Sequence, residues 1–228
     1  MISDNLTNIK GQIAEAAFRS GRDPSEIQLL AVSKRIDVDR IREARQQGQR
    51  LFGENFIQEA REKIEQLDPA ISWHFIGHLQ SNKTKEAARL FRMIETVDRL
   101  KIAQSLNRHA SELGKTLEVL VQVNVGREKQ KSGVAPESAE EFVRELGEMR
   151  NLRLRGLMTM PPYSPDPEKT RPYFRTLKKM ADRFQKQGYF IDNDTVILSM
   201  GMSSDFTVAI EEGSSLVRVG TALFGSRK

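Results

Sequence analysis

Lys34 is the first residue of this sequence whose type and place point to chemistry. It closes the run Leu30-Ala31-Val32-Ser33-Lys34. Alternation puts Leu30, Val32 and Lys34 on one face and Leu29, Ala31 and Ser33 on the other. Both faces are mostly apolar, as in a strand covered on both sides. A lysine at the C-terminal end of a barrel strand points into the mouth, where barrel active sites lie. Desolvation there frees an amine nucleophile. The plainer reading is a lysine that snorkels to water at a strand end.

Two segments near the other end of the chain are rich in glycine and hydroxyls. They are Ser199-Met200-Gly201-Met202-Ser203-Ser204 and Gly220-Thr221. Small residues let backbone N–H groups approach phosphate oxygens, and Ser203, Ser204 and Thr221 add hydroxyl donors. Ordinary turn chemistry accounts for the same residues. Arg218 lies inside Leu216-Val217-Arg218-Val219. A guanidinium in a buried strand needs acceptors, so the alternative is a mouth salt bridge, for instance with Glu54 or Glu211. Taken together, a lysine for a Schiff base, a phosphate cup and a partner for a pyridine nitrogen are the three handles for pyridoxal 5′-phosphate.

Asn55 ends Phe52-Gly53-Glu54-Asn55 and could bond the cofactor's 3-oxygen, or simply close a turn. His74 and His78 are four apart, a metal spacing on a helix but not on a strand followed by glycine, so no metal is expected. Asn124, before Gly126, reads as a loop-facing amide.

These residues need a frame that gathers strand ends. Strand-like runs occur at Gln28–Lys34, Arg50–Asn55, Ser72–Gly77, Met93–Val97, Leu117–Val125, Leu152–Met160, Thr195–Met200 and Ser215–Val219. Amphipathic helices fall between them. Asp37 to Gln47 places Val38, Ile41 and Ala44 on one face, and the segment after Pro172 places Tyr173, Leu177, Met180, Ala181 and Phe184 on one face. Gly48, Gly114 and Gly188 stand where helices should end. A helix from Asn5 to Ser20 precedes the first strand. About eight strand–helix units predict an α/β fold, a single (β/α)8 TIM-type barrel with an extra N-terminal helix. A doubly wound open sheet is the alternative, but the first strand lacks the Gly-rich turn that such sheets usually carry.

A length of 228 residues suits one barrel, so residues 1–228 are expected to form one domain. Folding at this size buries roughly 70–75% of the unfolded surface. The absence of cysteine excludes disulfides, thiolate metal sites and a cysteine nucleophile. The polar stretch from Met1 to Lys10 lacks a signal-peptide core, and no run approaches the roughly 20 apolar residues of a membrane span. A cytoplasmic protein without a membrane partner is expected. The net charge is +5, but basic residues sit beside acids, as in Arg61-Glu62-Lys63, without interleaved aromatics. That pattern reads as a solvated surface, not a nucleic-acid footprint.

Leu30-Ala31-Val32-Ser33-Lys34, Phe52-Gly53-Glu54-Asn55, Trp73-His74-Phe75-Ile76-Gly77-His78-Leu79-Gln80-Ser81-Asn82-Lys83, Gly156-Leu157-Met158-Thr159-Met160 and Leu198-Ser199-Met200-Gly201-Met202-Ser203 through Val217-Arg218-Val219-Gly220-Thr221 form an ordered set. With these blocks the chain closely resembles the pyridoxal-phosphate homeostasis proteins, relatives of the N-terminal barrel of alanine racemase. The resemblance runs from about Asn5 to Gly225. It implies that Lys34 forms the Schiff base, that Ser203, Gly220 and Thr221 hold the phosphate, and that Arg218 faces the pyridine nitrogen. Asn55 resembles a cofactor-contacting asparagine, and Ser204 falls next to the motif serine.

The implied function is a carrier and regulator of pyridoxal phosphate in vitamin B6 homeostasis, with little or no turnover and recipient apo-enzymes as partners. A monomer is expected. The alternative is an amino-acid racemase. The related racemases draw a second-face tyrosine from a C-terminal β domain of the partner subunit. This chain is expected to lack that domain, and Tyr163, Tyr173 and Tyr189 are not obvious substitutes. A nucleic-acid or scaffold protein, without bound cofactor, is the third reading.

Overall fold

The computed structural model describes residues 1–190 and 196–225. Eight parallel strands close on themselves in sequence order, with β1 (Gln28–Val32) paired to both β2 (Leu51–Glu54) and β8 (Leu216–Val219). Between them run β3 (Ser72–Phe75), β4 (Met93–Val97), β5 (Leu117–Gln122), β6 (Leu152–Met158) and β7 (Ile197–Ser199). The connecting helices are α2 (Val38–Gln46), α3 (Ile57–Ile64), α4 (Thr84–Leu90), α5 (Leu100–Glu112), α6 (Ala139–Gly147), α7 (Arg171–Lys186) and α8 (Phe206–Glu211). A short α9 (Thr221–Phe224) follows β8. The fold is a (β/α)8 barrel. The extra helix α1 (Ile2–Arg19) packs outside the repeat against α8, α9 and α2, and Asn5 Nδ2 donates to the Leu223 carbonyl at 2.9 Å.

The helices bind the barrel through apolar stripes. In α7, Phe174, Leu177, Met180, Ala181 and Phe184 are buried at helical spacing. Tyr173, expected on that stripe, is only half-buried, and Phe174 takes its place one residue on. Gly48, Gly114 and Gly188 follow α2, α5 and α7 at φ +88°, +62° and +74°, one residue past each C-cap.

Inside the barrel, Leu30, Val32, Ile76 and Leu216 form one apolar cluster and Met93, Leu120 and Met158 another. Alternation places His74, Glu95, Ser199 and Arg218 on the same inner faces, and all four are buried. The interior therefore carries a polar layer as well as an apolar one.

Most strands stop earlier than their apolar patterns suggest. β1 ends at Val32, not Lys34; β2 at Glu54, not Asn55; β3 at Phe75, not Gly77. β5 ends at Gln122 and β6 at Met158. β7 covers Ile197–Ser199; Thr195, the expected start, lies outside the described residues. Neighbouring strands end at different heights around the tilted barrel, so the last apolar residues of a run pass beyond the ladder and line its mouth. Among the described residues, no helix is long and apolar enough to cross a membrane.

Candidate functional site

A cavity of about 460 Å³ opens where the strands end. Lys34, Asn55, Ser203, Arg218, Gly220 and Thr221, scattered over almost the whole sequence, all line it. Ser204 lines it too and is exposed. Val32, Ile76, Met160 and Met202 supply apolar wall.

Lys34 is half-buried in the turn after β1. Its neighbours are anchored. Ser33 is buried, and its hydroxyl donates to Glu54 Oε1 at 2.7 Å. Arg35 has φ +59°, and its N–H donates to Glu59 Oε1 at 2.5 Å. The Lys34 side chain thus leaves a backbone held on both sides.

Arg218 is 3% exposed at the wall of the cavity. Its Nη1 donates to Ser199 Oγ at 2.6 Å and its Nη2 to the Thr159 carbonyl at 2.8 Å. Ser199 Oγ donates onward to Glu95 Oε2 at 2.5 Å, and Glu95 Oε1 pairs with His74 Nδ1 at 2.7 Å. Neither salt-bridge partner considered from sequence serves Arg218. Glu54 pairs with Lys63, and Glu211 with Arg19 and Arg171 on the outer surface. Burial pushes the Arg218 guanidinium down from its ordinary value, while Glu95 and Asp205 act in the opposite sense. A guanidinium stays charged under such a shift and remains a donor only.

At the other end of the cavity, the Ser203 hydroxyl lies 3.3 Å from the Gly220 N–H and 3.4 Å from the Ala222 N–H, accepting from both. The Ser203 loop is closed by Asp205, whose Oδ1 accepts the Met202 N–H at 2.7 Å. Hydroxyl and amide donors therefore meet at one point, the arrangement an anion requires. Thr221 is exposed at the start of α9.

Asn55 follows β2, and its Oδ1 is buried without a hydrogen-bond partner. Gly77 passes so close that a Cβ there would stand 2.1 Å from the Asn55 carbonyl oxygen, so only glycine fits. His74 and His78 diverge. His74 joins the inner layer, whereas His78 Nδ1 meets Ser132 Oγ at 2.9 Å and its Nε2 meets Arg99 at 3.2 Å. Among the described residues, no three His, Asp or Glu side chains gather as a metal site. Asn124 pins its own loop by bonding the carbonyl and N–H of Glu128.

Reasoning from sequence missed several participants. Glu95 carried a signal, a lone charge within the apolar run Met93–Val97. Ser199 and Thr159 carried none. Tyr163, not an obvious second-face residue from sequence, lines the cavity, while Tyr173 and Tyr189 pack against the outer core.

Comparison with known proteins adds a second line of observation. Residues 5–228 match the family model described as alanine racemase, N-terminal domain. A pyridoxal phosphate homeostasis protein from Vibrio alginolyticus is 45% identical over 99% of this chain and 97% of its own length. The chain belongs to the pyridoxal phosphate homeostasis protein family. Its fold is shared with PipY of Synechococcus elongatus PCC7942, whose structure with PLP bound is 36% identical, with a TM-score of 0.85 over 99% of this chain and 100% of that one. The alanine racemase of Clostridium difficile 630 is 19% identical, with a TM-score of 0.77 over 97% of this chain and 55% of the racemase. That second likeness bears on the homeostasis-family fold alone.

Proposed function

We propose that this chain binds pyridoxal 5′-phosphate reversibly as a Schiff base on Lys34 and acts as a carrier in intracellular vitamin B6 homeostasis, with little or no turnover. The observation that carries this reading is the convergence of Lys34, Arg218 and the Ser203–Thr221 region on one cavity. The residues fit the group. An amine, a fixed guanidinium and a cluster of N–H and O–H donors face the same space, and the Asn55 amide has hydrogen-bonding capacity to spare. In this reading residues 1–228 work as one binding domain.

When bound, the group supplies an electrophilic aldehyde carbon and an electron sink. Lys34 supplies the covalent link. Ser203, Gly220 and Thr221 hold the phosphate and set orientation. Arg218 donates toward the pyridine nitrogen, and a permanent donor there keeps that nitrogen unprotonated and the sink weak. A relative named for homeostasis at 45% identity supports the carrier role. Apo-enzymes that use the cofactor are the matching class of recipient.

Amino-acid racemisation is the second reading, and Tyr163 favours it by placing a phenol at the cavity. The carrier reading is tested by spectrum and mapping. The purified protein should be yellow, and borohydride should fix the cofactor on Lys34. An adduct confined to another lysine overturns the assignment.

A further inference from the structure

We infer that Lys63 is a positioning residue for Lys34: with Glu59, its buried ammonium fixes the backbone on both sides of Lys34 and so aims that side chain into the cavity. The inference rests on the cofactor reading above.

Lys63 projects from α3 and is 5% exposed. It donates to the Ser33 carbonyl at 2.6 Å, to Glu54 Oε1 at 2.8 Å and to Glu59 Oε1 at 2.6 Å. An ammonium has three N–H groups, so its donors are spent. Each acceptor bears on the Lys34 turn. Ser33 precedes Lys34, and its hydroxyl shares Glu54 Oε1 with Lys63. Glu59 Oε1 also accepts the N–H of Arg35, which follows Lys34.

Arg35 is a non-glycine residue in the left-handed region, at φ +59°. Such a conformation persists only where surrounding contacts over-determine it. Here the Glu59 carboxylate holds the Arg35 amide, and Lys63 holds Glu59. The Ile36 N–H returns to the Ser33 carbonyl at 3.0 Å, the oxygen Lys63 also binds. One buried cation therefore connects the ends of β1 and β2 with α3.

A buried ion cluster of this kind is weak evidence for stability, because desolvation opposes the attraction. Its geometry is better explained by what it orients. Lys63 itself does not line the cavity, whereas Lys34 does. Lys63 is engaged with its three acceptors behind the turn, and Lys34 lines the cavity.

The test compares two ligands on the full chain. Pyridoxal 5′-phosphate can form the covalent link; pyridoxine 5′-phosphate has the same ring and phosphate but no aldehyde. In Glu59→Ala, affinity for the aldehyde should fall about tenfold or more, a change of about 1.4 kcal/mol, while the alcohol should change by less than about twofold. Glu59→Gln keeps an acceptor for the Arg35 amide and should restore the aldehyde's affinity. Equal losses for both ligands, or no loss for either, would overturn the inference. Lys63→Met should show the same split if it folds; if it does not, the Glu59 pair decides.

If the unmodified protein binds neither ligand, the cofactor reading fails instead. The positioning role is then judged by amide hydrogen exchange at Arg35 and Ile36 in the ligand-free protein. Faster exchange in Glu59→Ala, with Glu59→Gln close to the unmodified protein, supports it. Unchanged exchange overturns it.

Discussion

Arg218 and Glu95 share one hydroxyl. Ser199 Oγ accepts from Arg218 Nη1 at 2.6 Å and donates to Glu95 Oε2 at 2.5 Å, so the two buried charges are joined without touching. Ser199 thereby uses its single proton and a lone pair in opposite directions. The relation fixes the guanidinium and supplies a counter-charge inside the barrel.

That arrangement predicts unequal costs along the relay. Glu95→Gln keeps the shape but removes the charge, and breaking a buried pair costs about 3–5 kcal/mol. Ser199→Ala removes hydrogen bonds only and should cost about 1–3 kcal/mol. Urea denaturation of both variants measures the difference. A smaller loss for Glu95→Gln than for Ser199→Ala would mean that the counter-charge contributes little.

The phosphate end gives a second prediction. Pyridoxal, lacking the phosphate, should bind far more weakly than pyridoxal 5′-phosphate. Ser203→Ala together with Thr221→Ala should weaken binding of the phosphorylated aldehyde by at least about tenfold, since hydrogen bonds to charged groups contribute about 1.5–3 kcal/mol each. Titrations followed in the visible band check both points. Equal affinity for the two aldehydes would remove the phosphate cup from the reading.

Glu54 gives a prediction in pH. Burial raises its carboxyl above the ordinary value of 4.5, outweighing Lys63 and Ser33, which pull it down. The folded protein therefore keeps this proton to higher pH than the unfolded chain. The resulting stabilisation is fully present below about 4.5 and is lost as pH rises through the folded value. Glu54→Gln mimics the protonated form, so it should gain stability relative to the unmodified protein as pH rises above that point. Urea midpoints at pH 4, 5, 6 and 7, on the order of one unit apart, test the sign. A relative gain by the unmodified protein would show that Lys63 outweighs burial.

How far the sequence exposed all this follows from range. The barrel was legible because its signal is local: apolar runs of five to nine residues, helices between them, and glycines past three helix ends. The six residues expected at the cofactor meet at one cavity because Arg218 lies within β8 and the other five sit just past a strand end, where the fold must gather them. Strand ends were read too long because Lys34 and Asn55 continue an apolar rhythm after the ladder has stopped. The polar layer was not legible. Ser199 and Glu95 are 104 residues apart, and Lys63 reads as one cation in the charged stretch Arg61-Glu62-Lys63. Only closure of the barrel shows that it is buried.

The last prediction concerns turnover. Racemisation needs an acid–base group on each face of the substrate α-carbon, and each such group typically contributes about 10²–10⁴-fold. Lys34 can serve one face. Among the described residues, the tyrosine lining the cavity is Tyr163, and it is 78% exposed. A phenol so open to water is neither desolvated nor held, and proton transfer depends on fixed geometry. In the proposed reading, Arg218 beside the pyridine nitrogen also leaves the electron sink weak. Incubation with L-alanine in deuterium oxide should therefore show α-proton exchange far below the roughly 1–10³ s⁻¹ typical of enzymes. Tyr163→Phe should leave the residual rate within about threefold, because an unpositioned acid contributes little. Racemisation at ordinary enzyme rates, abolished by Lys34→Ala and reduced about 10²-fold or more by Tyr163→Phe, would replace the carrier with an enzyme whose second face is Tyr163.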